Sequence, residues 1–309
     1  MDIDRDTYEN VGPNDIDVRI YDLGDDSLPS VTSVLKTREQ DKSNLYDWKD
    51  RNDGTGDAAD HNHLFWYSRN LGTLGHWAAL SQLDDLEWSQ DEQDSFLELY
   101  FQTHDDVEEA SAREILYSVL RGDKNKGGAV LSWGEFYDKY PPYKGGQYYT
   151  NQLAEQAHRD VNFFAGAQKR LWNKLDIEQN DVIAVEQMLF NKQHGYAGQV
   201  DLVYEDVNGH TVVADLKSSS GCYRKHQLQG AAYAKAIELS DVPVNTVDRL
   251  EVHRTHPRSG QMVVHTHNDA PGQQPIHTTK YWNDGYDELW NDFKQLADNF
   301  TYDEPDRSA

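Results

Sequence analysis

Gly198-Gln199-Val200-Asp201-Leu202-Val203, followed by Val212-Val213-Ala214-Asp215-Leu216-Lys217, is the stretch on which the reading of this chain turns. Asp201 sits in a short run rich in β-branched residues, bounded by Gly198 and Glu205-Asp206, which predicts a strand. Asn208-Gly209 between the two runs is a tight-turn signal, so the runs read as a hairpin. In the second run Asp215 and Lys217 stand two apart, and residues two apart in a strand point to one face. Asp201 on the partner strand then lies beside them. Upstream, after the apolar run Val182-Ile183-Ala184-Val185, Glu186 adds a third carboxylate.

This residue set suits a hard divalent cation. Mg²⁺ takes oxygen ligands and keeps several waters, so Asp201, Asp215 and the Leu216 carbonyl are a sufficient set. Such an ion polarises a phosphate and lowers the pKa of a bound water. Lys217 beside it is placed to orient that water or to stabilise charge building on the phosphate. Three roles stay open for Glu186: a direct ligand, a ligand through water, or a partner that fixes Lys217. Downstream, Ser218-Ser219-Ser220-Gly221 breaks the strand and Arg224 to Leu239 predicts an Ala-rich helix. Gln229 and Tyr233, four apart, share a face of that helix. Arg224, Lys225 and His226 at its start suit a phosphate contact. A lone Asp-x-Lys is more often a solvated strand edge; the order of the four elements carries the reading.

In that order the residues resemble the PD-(D/E)XK nuclease superfamily, and within it the RecB-like exonuclease branch. Glu186, Asp201, Asp215-Leu216-Lys217 and Gln229-Gly230-Ala231-Ala232-Tyr233 match its successive motifs. Leu28-Pro29-Ser30-Val31-Thr32-Ser33-Val34-Leu35 and Gly72-Thr73-Leu74-Gly75-His76 resemble two further ones. The resemblance implies an α/β restriction-endonuclease-like core, a mixed central β-sheet flanked by helices. It places the motif-bearing core over residues 150–265 and a helical insertion over 81–150, within one nuclease domain spanning 1–309. It implies His76 as a further metal ligand beside Asp201, Asp215 and Leu216, and a nitrogen ligand tilts the site towards Mn²⁺ as well as Mg²⁺. Lys217, Asp215, Asp201 and Glu186 would be catalytic, and Gln229, Tyr233, Arg224 and Lys225 would meet the substrate. The implied activity is a Mg²⁺- or Mn²⁺-dependent deoxyribonuclease, an exonuclease acting on linear ends or single strands in recombination, repair or viral DNA processing. Two alternatives stand: a structure-specific or restriction-type endonuclease, and a non-cleaving module that binds DNA ends and recruits a partner. A homo-oligomer and a recombination-protein partner stay open. Cys222 alone cannot build the four-cysteine iron–sulfur cluster of some relatives, and no Gly-rich phosphate loop encodes a nucleotide site.

Charge runs against this expectation. With 54 acidic and 29 basic residues the formal net charge is −25, whereas a DNA binder at ordinary salt presents a basic face. The acids are dispersed (Asp25-Asp26, Asp84-Asp85, Asp105-Asp106, Glu108-Glu109), and eight Trp and eighteen Tyr argue for a folded chain. Dispersed acidity fits a surface working in molar salt, where the Debye length is about 3 Å. The expected source is therefore a halophilic archaeon or one of its viruses, and the expected location a high-salt cytoplasm. One cysteine allows no internal disulfide. No apolar run approaches the ~18 residues that span a bilayer, so no membrane partner is expected.

Beyond the core, helices are predicted over 64–83, 153–175 and 286–300, strands over 247–253 and 261–266, and an arm or peripheral strand over 1–27. The basic, aromatic stretch 122–146 reads as a packed excursion or as a flap that stacks single-stranded bases. His253, His256, His265 and His267 are expected as exposed strand histidines rather than a second metal site.

Overall fold

A computed structural model describes residues 4–8, 12, 18–22, 27–38, 75–76, 79–80, 82–83, 150–218, 221–255, 261–267 and 279–302. The expected insertion over 81–150 lies outside these apart from Gln82, Leu83 and Thr150, as does the basic aromatic stretch 122–146.

The hairpin forms where its turn chemistry places it. Strands β5 (Tyr196–Glu205) and β6 (Thr211–Lys217) pair antiparallel. Gly209 takes a φ of +79° in the connection, a conformation glycine adopts without a Cβ clash. The Asp206 carboxylate accepts the amides of Asn208 and His210 and closes the turn. Strand β4 (Val182–Asn191) pairs antiparallel with the other edge of β5. After β6 the chain crosses through a helix to β7 (Arg249–Thr255), which runs parallel to β6. Strand β8 (Met262–His267) is antiparallel to β7, and β9 (Thr279–Trp282) is parallel to β8. The result is a six-stranded mixed sheet in the order β4-β5-β6-β7-β8-β9. A separate three-stranded antiparallel sheet joins β1 (Asp4–Tyr8), β2 (Val18–Asp22) and β3 (Ser27–Pro29).

Helices cover both faces of the large sheet. Helix α1 (Val31–Lys36), the crossover helix α3 (Arg224–Ile237) and α4 (Tyr286–Asp298) share one core with Val203, Val213, Leu250 and Val252. In α3 the small residues Gly230, Ala231, Ala232, Ala234 and Ala236 are all buried, which lets the helix lie close on the sheet. Helix α2 (Thr150–Leu175) takes the opposite face, where Trp172 donates its Nε1–H to His253 Nδ1 at 3.3 Å. Ser30 caps α1, its Oγ accepting the Ser33 amide at 3.0 Å, so Pro29-Ser30 is the junction of β3 and α1. Among the described residues no helix is long and apolar enough to cross a membrane.

Three expectations need correction. The late strand begins at Arg249 rather than Val247, because the Asp248 amide is taken by the Thr211 carbonyl before the ladder starts. The histidines are not exposed: His253 and His267 are buried and His265 is half-buried, while His256 lies outside the described residues. His253 is held inside by Trp172 and by Glu251, whose Oε2 lies 2.6 Å from its Nε2. Strand β9 answers to no expected element.

Candidate active site

The site grows from a local failure of sheet regularity. The β5–β6 register ends at Leu202↔Ala214, and one residue further it would bring Asp201 opposite Asp215. There the Leu216 amide is taken at 2.7 Å by Asp201 Oδ2. On the other edge of β5, Glu186 lies between the pairs Val185↔Leu202 and Gln187↔Val200, hence also opposite Asp201. Glu186 has a φ of +47°, which is costly for a residue with a Cβ and re-aims its side chain out of strand alternation. Val200 and Val203, three apart, both reach the core beneath α3, so alternation along β5 also breaks at Asp201-Leu202. Ser30 fills the space opened beside β5 with a parallel bridge to Ala197. Glu186, Asp201 and Asp215 thus come into one lateral row across three strands.

Asp215 is 1% exposed, and Lys217 Nζ donates to its Oδ1 at 2.5 Å. Asp215 Oδ2 is buried and has no hydrogen-bond partner. Burial pushes the Asp215 carboxyl up, to about 7, against the pull of the Lys217 ammonium and with the added repulsion of Asp201. Lys217 goes the other way: burial opposes its charge, but Asp215, Asp201 and Glu186 outweigh it and raise its pKa above the ordinary lysine range. Glu186 therefore acts electrostatically on Lys217, and its carbonyl accepts Gln199 Nε2 at 3.1 Å. It stands on a strand, not on a helix end.

His76 reaches the same place from outside the sheet. Its Nδ1 is 3.7 Å from Asp201 Oδ2, and its ring stacks on Phe164 of α2 at 5.9 Å. Gly75 makes this possible, since a Cβ there would meet Phe164 Cδ1 at 2.8 Å. Burial lowers the His76 pKa to about 4, against the attraction of Asp201, which leaves a neutral imidazole at neutral pH.

Gln229 and Tyr233 meet as their spacing predicts, Gln229 Nε2 donating to the Tyr233 hydroxyl at 2.9 Å. The Tyr233 ring lies against Gly198, where a Cβ would come within 2.6 Å of Tyr233 Cε1 and 3.2 Å of Val31 Cγ2. Gly198→Ala is therefore expected to lower stability by about 1–3 kcal/mol through overpacking. Thermal unfolding followed by circular dichroism checks this, and an unchanged midpoint would mean that α1 and α3 move apart freely.

Arg224 is committed elsewhere: it pairs with Asp284, with Asp292 at 2.6 Å, and with Gln227 at 3.3 Å, tying α3 to the start of α4. Lys225 is exposed at the start of α3. The side chain of Leu216 is buried. Sequence reasoning missed Arg254, which the parallel register sets beside Lys217; nothing in Val252-His253-Arg254 reveals that neighbour without the strand pairing.

Among the described residues no three His, Cys, Asp or Glu side chains form a ready-made cation cage. What converges is two carboxylates, one neutral imidazole and one lysine. No family model matches the chain, and no curated protein matches it either.

Proposed function

We propose that the chain is a metal-dependent nuclease with a PD-(D/E)XK-type core that hydrolyses DNA phosphodiester bonds, working from strand ends. The observation that carries this reading is the convergence of Asp201, Asp215, Lys217 and His76 where β5 parts from β6, with Asp215 Oδ2 buried and unpartnered. A carboxylate oxygen buried without a partner is costly, and a hard dication is the ligand that offsets that cost. The donor set fits: Asp201 and Asp215 supply oxygen and His76 nitrogen, suited to Mg²⁺ or Mn²⁺.

When bound, the cation supplies Lewis-acid polarisation of the phosphate and a more acidic water. The chain's own groups do the rest. Lys217 stays an ammonium, because three carboxylates hold its pKa up. It acts by charge and hydrogen bonding on a phosphate oxygen rather than as a base. Asp201, tied to the Leu216 amide, is fixed in place and so pre-oriented for its ligand. Tyr233 and Gln229 brace the wall of the site through their mutual hydrogen bond. The dispersed acids and the net charge of −25 fit action at molar salt, where repulsion of DNA is screened.

The test is degradation of end-labelled linear and closed-circular DNA in molar KCl with Mg²⁺ or Mn²⁺. Asp215→Ala is expected to lower the rate by at least about a thousandfold, and chelation of the cation to stop cleavage. Loss of label from linear DNA alone marks an exonuclease. Nicking of the circle replaces that with an endonuclease. Binding without cleavage by the folded wild type overturns the enzyme in favour of a recruiting module.

A further inference from the structure

The lateral row that holds the carboxylates continues beyond Asp215. In register it passes Val252 on β7, His265 on β8 and Lys280 on β9. One step nearer the end of β6, Lys217 lies beside Arg254, and Arg254 beside Val263. Strand alternation puts these residues on the face covered by α3 and α4, the face of Leu250, Val252 and Trp282. Lys217, Arg254, His265 and Lys280 therefore form a basic band over four strands, about 14 Å wide at about 4.8 Å per strand. Asp215 is the one acid in these two rows of β6 to β9. In a chain of net charge −25, such a band is a local reversal of sign.

The groups act on one another. Arg254 Nε donates to His265 Nε2 at 3.4 Å. Burial first, then the charges of Arg254 and Lys280, hold the His265 imidazole down at about 4. Burial, then Lys217, Lys225 and His265, hold His226 at about 3. His226 at the start of α3 thus overlooks the band, and exposed Tyr223 stands edge-on to it with ring centroids 5.4 Å apart. Cations this close repel one another, and a polyanion laid among them relieves the repulsion. An aromatic ring beside a cationic track is the pairing that single strands use, bases stacking while phosphates meet charge.

We propose that this band is the phosphate track of the substrate: a single DNA strand runs from Lys217 over Arg254 and His265 to Lys280 at the β9 edge, with Tyr223 offering its ring to a base. The identity of the polyanion rests on the nuclease reading above; the location of the track rests on the register.

The probe is a fluorescein-labelled single-stranded oligonucleotide, titrated by anisotropy over the range of KCl in which the circular-dichroism spectrum is constant. Exposed Lys280 is the position to change, since it carries no core packing. Lys280→Glu is expected to weaken binding about five- to tenfold and to flatten the slope of log K against log salt by about 0.7, the loss of one phosphate contact. Lys280→Arg is expected to bind as the wild type does. Lys174→Glu, equally exposed on α2 at the other face, is expected to leave binding unchanged. A rise in KM for strand cleavage by Lys280→Glu is the matching kinetic sign. If Lys280→Glu binds and cleaves like the wild type, the track is overturned while the nuclease stands. Equal weakening by Lys174→Glu would also overturn it, since the effect would then be one of net charge. Folded wild type that neither binds nor cuts the strand would overturn both readings.

Discussion

Lys217→Met is expected to end DNA cleavage and to cost the fold about 3 kcal/mol or more at neutral pH. Methionine keeps the length and much of the packing of lysine, so what is removed is the charge. Asp215, 1% exposed and now without the ammonium 2.5 Å from its Oδ1, becomes an uncompensated buried carboxylate. Its pKa already stands near 7 with Lys217 present, against 3.8 for the free group. A carboxyl raised on folding favours the folded state only while protonated. That contribution is complete below about 3.8 and is lost as pH rises through about 7. Without Lys217 the folded-state pKa moves higher still, so the deficit of the variant must widen as pH rises across that window. Urea unfolding at about pH 5 and about pH 8 measures this. Lys217→Arg separates the two roles: it returns a charge to Asp215 and much of the stability, but a guanidinium presents its donors differently, so cleavage stays low. A deficit independent of pH would show that Lys217 does not stabilise the fold through Asp215.

The catalytic half of this site is legible in the sequence because its signals are local. Asn208-Gly209 sets the turn, the β-branched runs set the strands, and the two-residue spacing of Asp215 and Lys217 sets their common face. The four-residue spacing of Gln229 and Tyr233 places them on one side of a helix, and their hydrogen bond follows. What escapes is whatever depends on register between distant strands. Arg254 and Lys280 join Lys217 only because β7 runs parallel to β6 and β8 parallel to β9, and no short-range pattern encodes that. Glu186 is the intermediate case. Its place before the hairpin is readable, but the left-handed backbone that breaks its alternation is a tertiary outcome of β5 parting from β6. The histidines mislead for a related reason. Strand β7 alternates apolar and polar residues as a half-exposed strand would, with Leu250 and Val252 on one face and Arg249, Glu251 and His253 on the other. All five are nonetheless buried, because helix α2 covers the polar face and the polar groups satisfy one another.

That covered polar face yields the second large effect. Glu251→Gln is expected to lower stability by about 3–5 kcal/mol while the opposite face of the sheet keeps its cleavage geometry. The Glu251 carboxylate takes three donors: the Tyr204 hydroxyl at 2.8 Å, Arg249 Nε at 2.8 Å and His253 Nε2 at 2.6 Å. His253 can donate there because its Nδ1 already accepts from Trp172. A glutamine amide has one acceptor oxygen and turns its NH₂ towards a donor, so at least one bond becomes a donor–donor contact. Arg249, itself buried, keeps only Asp206 at 2.7 Å as a counter-ion. These donors hold Glu251 at about 2, below its free value of 4.5, although burial alone would raise it. A carboxyl lowered on folding contributes stability that is present above about 4.5 and lost as pH falls towards about 2. The gap between wild type and Glu251→Gln must therefore be full at neutral pH and narrow on acidification through that range, provided both still fold. A gap that stays constant with pH would mean that the loss is one of shape rather than of charge. Joint replacement of Arg249, Glu251 and His253 by apolar residues distinguishes need from history. Because desolvating the ions costs much of what their attraction returns, the triple variant is expected to be more stable than Glu251→Gln alone. If it is instead less stable, the network holds β7 in register beneath α2 in a way that apolar packing cannot replace.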